Sequence, residues 1–203
     1  MFVEGHTEKY LPEFFRRWID PKTERRIRII TRRFNGVSDY LDDFSRVAEY
    51  RLREEKVAFI FGLLDLYGLP DEYALGDNVA KRVANARSKI EGRLPDGIRG
   101  SFKQHFAVHE TEAWLLSDPS IFGEVTIPDS WSRKPESINM DKPPAKQLKE
   151  LFAKKKNIYK KTTHARILFP KLDPEQAASK CPHLKAFLDD LLKQARKIQG
   201  VVS

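Results

Sequence analysis

The stretch Val57-Ala58-Phe59-Ile60-Phe61-Gly62-Leu63-Leu64 contains no polar residue and is followed directly by Asp65. An apolar run without polar alternation is typical of a strand that helices cover on both faces. Such strands occur in the middle of parallel sheets, which are built from alternating β and α segments. The run therefore predicts an α/β protein whose central strand ends at an acidic residue.

The segments on either side of this run alternate between strand-like and helix-like patterns. Short strands are predicted at residues 1–3, 26–31 and 102–108. Between the later strands, apolar residues recur at helical spacings of three and four; they are Leu41, Phe44, Ala48, Leu52, Val79, Val83, Ile90 and Leu94. Either Asp77 or Asn78 is expected to cap the second of these helices. The order predicts a mainly parallel, Rossmann-like sheet with flanking helices.

The C-terminal third is predicted to be helical. Residues 123–144 contain four prolines and little periodicity, which indicates an irregular insertion. The last helix carries one apolar stripe, which either packs on the body of the protein or forms a homodimer contact; its residues are Leu184, Phe187, Leu188, Leu191, Leu192, Ala195 and Ile198. We expect an α/β core over residues 1–122 and a helical region over residues 123–203, with one single domain as the alternative.

Composition excludes several classes of protein. The 203 residues carry 37 Lys and Arg against 29 Asp and Glu, and the resulting charge of +8 favours a polyanionic partner. Cys181 is the only cysteine, so neither an internal disulfide nor a zinc finger can form within one chain. No apolar run approaches the roughly 20 residues that span a bilayer, and no signal sequence is recognisable. We therefore expect a cytoplasmic protein without a membrane partner.

Acidic residues follow three of the predicted strands. Glu4 follows the first, Asp65 ends the central one, and Glu110 and Glu112 follow the strand at residues 102–108. The carboxyl ends of parallel strands meet at one edge of a sheet, where ligands bind. Clustered carboxylates need a cation between them, and Mg²⁺ is a hard ion that binds carboxylate oxygens. A metal site is predicted here, with helix capping by the same acids as the alternative.

Two residues beside these acids are expected to support them. His109 precedes Glu110, and its predicted role is to orient the neighbouring acids rather than to bind the metal directly. Tyr67 follows Asp65 closely and either donates a hydrogen bond to an acid or a phosphate, or simply packs.

A dense basic segment lies after the insertion and contains Lys154, Lys155, Lys156, Lys160 and Lys161. Lysines at this density bind the phosphates of DNA or RNA, and the interleaved Tyr159 could stack on an unpaired base. A solvated lysine face is the alternative. Lys160 or Lys161 could instead reach the acidic cluster and stabilise charge on a phosphate.

The N-terminal stretch Phe2-Val3-Glu4-Gly5-His6-Thr7-Glu8 resembles the motif VEG-x-TE that opens Toprim-type domains, which occur in topoisomerases, primases and overcoming-lysogenization-defect nucleases. The resemblance implies a Toprim-like fold in which Glu4, with Glu8 nearby, binds Mg²⁺ or Mn²⁺ for phosphoryl transfer. Asp65 then corresponds to the first acid of a DxD motif. The chain reads Asp65-Leu66-Tyr67, so the second acid is absent, and Glu110 or Glu112 is the candidate replacement.

Four motifs in the same order resemble a bacterial family known as domain of unknown function number forty-two seventy-six. They are VEG-x-TE at residues 3–8, DLYGLP at residues 65–70, HE-x-EA at residues 109–113 and CPH at residues 181–183. The resemblance implies a nuclease that serves as the effector subunit of an anti-phage defence system, with an ABC- or SMC-like ATPase as its partner.

The sequence leaves three functions open. The leading hypothesis is a metal-dependent nuclease with Glu4, Asp65, Glu110 and Glu112 as catalytic residues and with Glu4, Glu8, Asp65 and Glu110 as metal ligands. The alternative is a non-catalytic subunit with a degenerate site that binds nucleic acid or an ATPase. A third hypothesis keeps the metal but has a nucleotide or another phosphorylated small molecule as substrate.

Overall fold

The computed structural model describes residues 1–5, 7–137 and 143–200, and it describes Thr7 and Glu8 by their backbone alone. The chain divides into two compact units, each made from two stretches. Met1–Gly5 and Ile30–Ala107 form the first unit, and His6–Ile29 and Val108–Ser203 form the second. This division differs from the predicted boundary between residues 122 and 123, because an early helix packs among the C-terminal helices.

The first unit is built around a four-stranded sheet. Its strands are β1 (Phe2–Glu4), β2 (Arg32–Phe34), β3 (Ile60–Asp65) and β4 (Phe102–Ala107). They lie in the order β2-β1-β3-β4, and all neighbouring pairs are parallel. The predicted α/β class is therefore confirmed, and the apolar run supplies an inner strand, β3.

The second strand lies further along the chain than predicted. A strand at residues 26–31 is wrong, because β2 begins at Arg32. The register explains the shift: Phe2 pairs with Arg32 and Glu4 with Phe34, so the short β1 fixes where its partner can begin. Arg32 and Arg33 are exposed, as expected of charged residues on an edge strand.

Three helices belong to the first unit: α2 (Val37–Arg53), α3 (Val79–Glu91) and α4 (Asp96–Arg99). The side-chain oxygen of Asn78 accepts a hydrogen bond from the Lys81 amide at 2.9 Å, so Asn78 rather than Asp77 caps α3. The helices and the strands share one core, which includes Phe2, Phe34, Phe44, Ala48, Ile60, Leu64, Val83, Ile90, Phe102 and Phe106.

Gly62 makes room for a buried hydrogen bond beside β3. The Tyr40 hydroxyl donates to Oε1 of Gln104 at 2.5 Å, and both residues are fully buried. A Cβ atom at Gly62 would lie 2.1 Å from Oε1 of Gln104 and 2.2 Å from the Tyr40 hydroxyl. A strand position that another side chain crosses so closely admits only glycine.

The second unit is helical. It contains α1 (Leu11–Ile19), α5 (Glu112–Leu115), α6 (Asp129–Arg133), α7 (Pro144–Lys154), α8 (Lys161–Leu168), α9 (Pro174–Lys180) and α10 (Pro182–Ile198). Phe15 of α1 meets Phe187 of α10 with ring centroids 4.9 Å apart. Most of the apolar stripe of α10 is buried here, although Ile198 stays 49% exposed. Among the described residues, no helix has the length and apolar character needed to cross a membrane.

Candidate functional site

Glu4 and Asp65 are the last residues of two neighbouring strands in the middle of the sheet. Val3 of β1 pairs with Leu63 of β3, so both acids lie at the same edge, on strands about 5 Å apart. From β1 the chain proceeds to β2 on one side, and from β3 to β4 on the other. The topological switch point of the sheet therefore lies between these two acids, where open parallel sheets bind ligands.

The pleat of the sheet assigns the two acids to opposite faces. Side chains alternate along a strand, so Glu4 shares the face of Phe2 and Phe34, whereas Asp65 shares the face of Leu63. Because each acid ends its strand, both carboxylates border the same carboxyl edge. A ligand at this edge would lie across the end of the sheet rather than on one face of it.

The chain turns directly after each acid. Gly5 has a φ of +83°, a conformation that glycine adopts without strain, and it follows Glu4 immediately. After Asp65 the chain forms a short turn over Leu66–Gly68, in which Tyr67 is 50% exposed. The position of the absent second DxD acid is therefore occupied by a phenol ring that is half accessible to solvent.

The donor set at the switch point fits a hard divalent cation. Mg²⁺ keeps several waters and is commonly held by one or two carboxylates together with substrate phosphates. Glu4 and Asp65 supply two such carboxylates, while the side chain of Glu8 lies outside the described residues. Within residues 1–5, 7–137 and 143–200, no group of three or more His, Cys, Asp or Glu side chains is arranged to hold a metal.

Glu110 and Glu112 lie together in the second unit, beside Lys161. The Lys161 ammonium lies 2.7 Å from Oε1 of Glu110 and 3.5 Å from Oε2 of Glu112. The other oxygen of Glu110 accepts a hydrogen bond from the Ala145 amide at 2.9 Å, in the first turn of α7. Glu110 thus caps a helix and forms an ion pair, and Lys161 rather than Lys160 is the lysine that reaches the acids.

Glu112 is the most enclosed of the predicted site residues. It is 2% exposed, and burial raises its pKa while the charge of Lys161 acts in the opposite direction. A hydrogen bond from Lys161 also favours the charged form of Glu112. His109, two residues earlier, is also buried, and burial lowers its pKa against the opposing effect of Glu110. Burial therefore favours the neutral form of His109.

The basic segment presents most of its lysines to solvent. Lys154, Lys155, Lys156 and Lys160 are exposed, whereas Lys161 is half-buried in its ion pair. The predicted stacking of Tyr159 on a base is wrong for this conformation, because Tyr159 is 2% exposed and packs against Phe152 and His164. The residue that projects from this segment is Ile158, which is 76% exposed.

Glu136 is a buried carboxylate in the second unit that the sequence did not indicate. Its two oxygens accept hydrogen bonds from the amides of His183 and Leu184 at 2.8 and 3.1 Å, in the first turn of α10. Burial raises the pKa of Glu136 to about 7, in spite of these hydrogen bonds. A glutamate between a proline and a serine carries no local signal of this distant contact, so the sequence alone could not identify it.

The chain was compared with family models, curated proteins and solved structures. A family model described as a domain of unknown function, DUF4276, matches residues 3–192. No curated protein and no solved structure matches the chain significantly. The match includes Glu4, Asp65, Glu110, Glu112 and the basic segment, so these residues lie inside the family's shared region. The chain belongs to the DUF4276 family.

Proposed function

We propose that the protein is a divalent-metal-dependent nuclease of Toprim-like architecture that acts on DNA or RNA in the cytoplasm. The observation that carries the proposal is the placement of Glu4 and Asp65 on either side of the topological switch point. Two carboxylates at the ligand-binding edge of a parallel sheet are suited to binding Mg²⁺ or Mn²⁺. The VEG-x-TE motif at residues 3–8 also supports the proposal, because it resembles the motif that opens Toprim domains.

In this proposal Glu4 and Asp65 would hold the divalent cation. A bound Mg²⁺ or Mn²⁺ neutralises phosphate charge and lowers the pKa of a bound water, which makes that water a nucleophile. The exposed lysines of the basic segment bind the substrate backbone. Glu8 and Glu110 stay predicted metal ligands, and Glu110 and Glu112 stay predicted catalytic residues.

We further propose that an ABC- or SMC-like ATPase controls this activity within an anti-phage defence system. The support is the resemblance of the four ordered motifs between residues 3 and 183. Control by a partner predicts that the isolated chain has low activity. Metal binding, which does not need the partner, is therefore the first property to measure.

Titration calorimetry with Mn²⁺ at low salt tests the site directly. We expect the wild type to bind Mn²⁺ and Asp65→Asn to lose most of that binding, because one of two carboxylate ligands becomes a neutral amide. Asp71→Asn is the matched control, since Asp71 is exposed and lies six residues further along the chain. Equal Mn²⁺ binding by the wild type and Asp65→Asn would remove Asp65 from the proposed site.

Cleavage of labelled DNA and RNA in the presence of Mn²⁺ tests the reaction. Glu4→Gln should abolish cleavage while the circular dichroism spectrum stays unchanged, and Glu72→Gln, at an exposed glutamate of the same unit, should cleave like the wild type. Cleavage that persists in Glu4→Gln contradicts the proposed role of Glu4.

A non-catalytic binding subunit is the second candidate. It is favoured by Tyr67 in place of the second DxD acid and by the engagement of Glu110 with Lys161 and Ala145. This candidate predicts salt-sensitive binding of nucleic acid that is independent of metal and unchanged in Glu4→Gln.

A further inference from the structure

The loop between α7 and α8, residues 155–160, presents an isoleucine to solvent among lysines; we name it the lysine loop. Ile158 is 76% exposed, more than any other large hydrophobic residue in the part of the chain that the structure describes. Single exposed apolar residues are common on protein surfaces, so exposure alone identifies no site. Two further features distinguish Ile158: the way in which the loop holds it, and the charges around it.

The backbone of the lysine loop is fixed to the end of α7. The amides of Lys155 and Asn157 both donate to the Phe152 carbonyl at 3.0 Å, and the Lys156 amide donates to Ala153 at 2.9 Å. Lys156 adopts a φ of +57°, which is uncommon for a residue with a side chain. These hydrogen bonds give the loop a defined shape at its exposed tip.

Tyr159 anchors the other side of the loop. Its ring stacks on His164 with centroids 4.8 Å apart and meets Phe152 edge-on at 5.3 Å. The Lys160 amide donates to Nδ1 of His164 at 3.0 Å. Because Tyr159 is packed inward between α7 and α8, the neighbouring Ile158 is held outward instead of joining the core.

The surroundings of Ile158 are strongly positive. Residues 143–161 include seven lysines and one acid, Glu150. Five lysines lie within four residues of Ile158 in sequence. Lys161 is half-buried in its ion pair with Glu110, and the other four, Lys154, Lys155, Lys156 and Lys160, are exposed. A partner that covers Ile158 must therefore carry negative charge around an apolar slot.

Duplex nucleic acid fits these requirements best. Proteins that bind the minor groove insert an aliphatic side chain, such as Ile, between two base pairs while basic residues contact the flanking phosphates. Single strands are bound mainly by aromatic stacking, and the one aromatic residue of this loop is buried. Lysine is depleted in protein interfaces, and membrane-bound helices present a broad apolar face rather than one side chain.

We propose that Ile158 is a wedge that inserts between base pairs of duplex DNA or RNA while Lys154, Lys155, Lys156 and Lys160 bind the phosphates on either side. The choice of a nucleic-acid partner rests on the proposed function, but the wedge does not require cleavage. The wedge predicts that the protein binds double-stranded nucleic acid in preference to a single strand.

Fluorescence anisotropy with a labelled 20-base-pair duplex, in EDTA and over a range of salt concentrations, tests the wedge separately from catalysis. Ile158→Ser should bind about tenfold more weakly, because the apolar burial is lost. The slope of log K against log salt should stay unchanged, because no phosphate contact is removed. Lys155→Gln should instead reduce that slope by about 0.9. Ile167→Ser, at an exposed isoleucine of α8, is the matched control and should bind like the wild type.

A second measurement reports base unstacking directly, through the fluorescence of 2-aminopurine. A duplex that contains 2-aminopurine should brighten when the wild type unstacks a base step, and it should not brighten with Ile158→Ser. Equal duplex affinity of Ile158→Ser and the wild type overturns the proposal, as does the absence of duplex binding. Binding to phosphatidylserine vesicles that depends on Ile158, without duplex binding, also overturns it and identifies a membrane surface instead.

The outcomes for the wedge and for the nuclease are distinguishable. Ile158-dependent duplex binding by a protein that binds no Mn²⁺ supports the wedge and contradicts the nuclease. Cleavage that needs Glu4 and is unaffected by Ile158→Ser supports the nuclease and contradicts the wedge.

Discussion

Lys161 places its ammonium nitrogen 2.7 Å from Oε1 of Glu110, so a lysine near the start of a helix is an internal counter-ion for an acid some fifty residues earlier. The same nitrogen lies 3.5 Å from Glu112. Lys161 is 37% exposed at its side chain and Glu112 only 2%. The interaction therefore matters more for the stability of the buried acid than an ion pair on the open surface would.

Lys161→Met should destabilise the protein in a pH-dependent way. At pH 8 the substitution removes the ion pair with Glu110, and we expect a loss of about 1–3 kcal/mol in the free energy of unfolding. At pH 4 the loss should be smaller, because burial raises the pKa of Glu112 and so favours its neutral form, which attracts the lysine little. Urea denaturation at both pH values measures this, with Lys160→Met as the exposed control. Equal losses at the two pH values would contradict the counter-ion role.

Glu136 should make stability fall as the pH rises. Its pKa is about 7 in the folded protein and 4.5 is its ordinary value, so the folded state favours the protonated form. The resulting stabilisation is complete below pH 4.5 and is lost as the pH rises through 7. Between pH 5 and 8 the free energy of unfolding of the wild type should fall by about 2–3 kcal/mol more than that of Glu136→Gln.

Denaturant titrations at these two pH values check the role of Glu136. Glu124→Gln, which replaces an exposed glutamate of the same unit, should show the full wild-type pH dependence. A pH dependence in Glu136→Gln as steep as that of the wild type would show that another group is responsible.

Gly62→Ala should be strongly destabilising. The added methyl group would lie 2.1 Å from Oε1 of Gln104, which is fully buried and hydrogen-bonded to Tyr40. Overpacking of this kind typically costs about 1–3 kcal/mol, and the broken hydrogen bond adds to that cost. Gly100→Ala, where nothing lies within 4 Å of the new Cβ atom, should change the melting temperature little. Similar melting temperatures for both variants would contradict the packing around β3.

Asn78→Ala should cost about 1 kcal/mol, because it removes the side-chain oxygen that caps α3. Asp77→Ala removes an exposed ion pair with Lys81, and such pairs contribute about 0–1 kcal/mol. Thermal unfolding of the two variants should therefore rank Asn78→Ala as the less stable. The reverse ranking would assign the capping role to Asp77.

The parts of the fold that depend on local pattern were predictable. The unbroken apolar run after Lys56 predicts an inner strand that ends at an acid, and β3 ends at Asp65 as expected. The position of β2 was not predictable, because the β-branched side chains at residues 26–31 favour a strand there, whereas β2 begins at Arg32. The position of β2 is decided by pairing with Phe2 and Glu4 across the sheet, which local propensity does not contain.

The candidate site likewise contains residues whose places could be predicted from the sequence and residues whose places could not. The places of Glu4 and Asp65 follow from where their strands end, which a sequence pattern can indicate. The choice between Lys160 and Lys161, and the inward turn of Tyr159 that leaves Ile158 outside, depend on packing between α7 and α8. Neighbouring residues of similar chemistry cannot be distinguished until that packing is known.

The interleaving of the two compact units limits how the chain can be dissected. Because residues 6–29 belong with residues 108–203, a fragment that begins at Val108 would lack α1, and Phe187 would lose its contact with Phe15. A fragment that ends at Ala107 would carry the apolar face of α1 without its helical partners. Simple truncation should therefore yield insoluble pieces, whereas mixing residues 108–203 with a synthetic peptide of residues 6–29 should restore helical folding by fragment complementation.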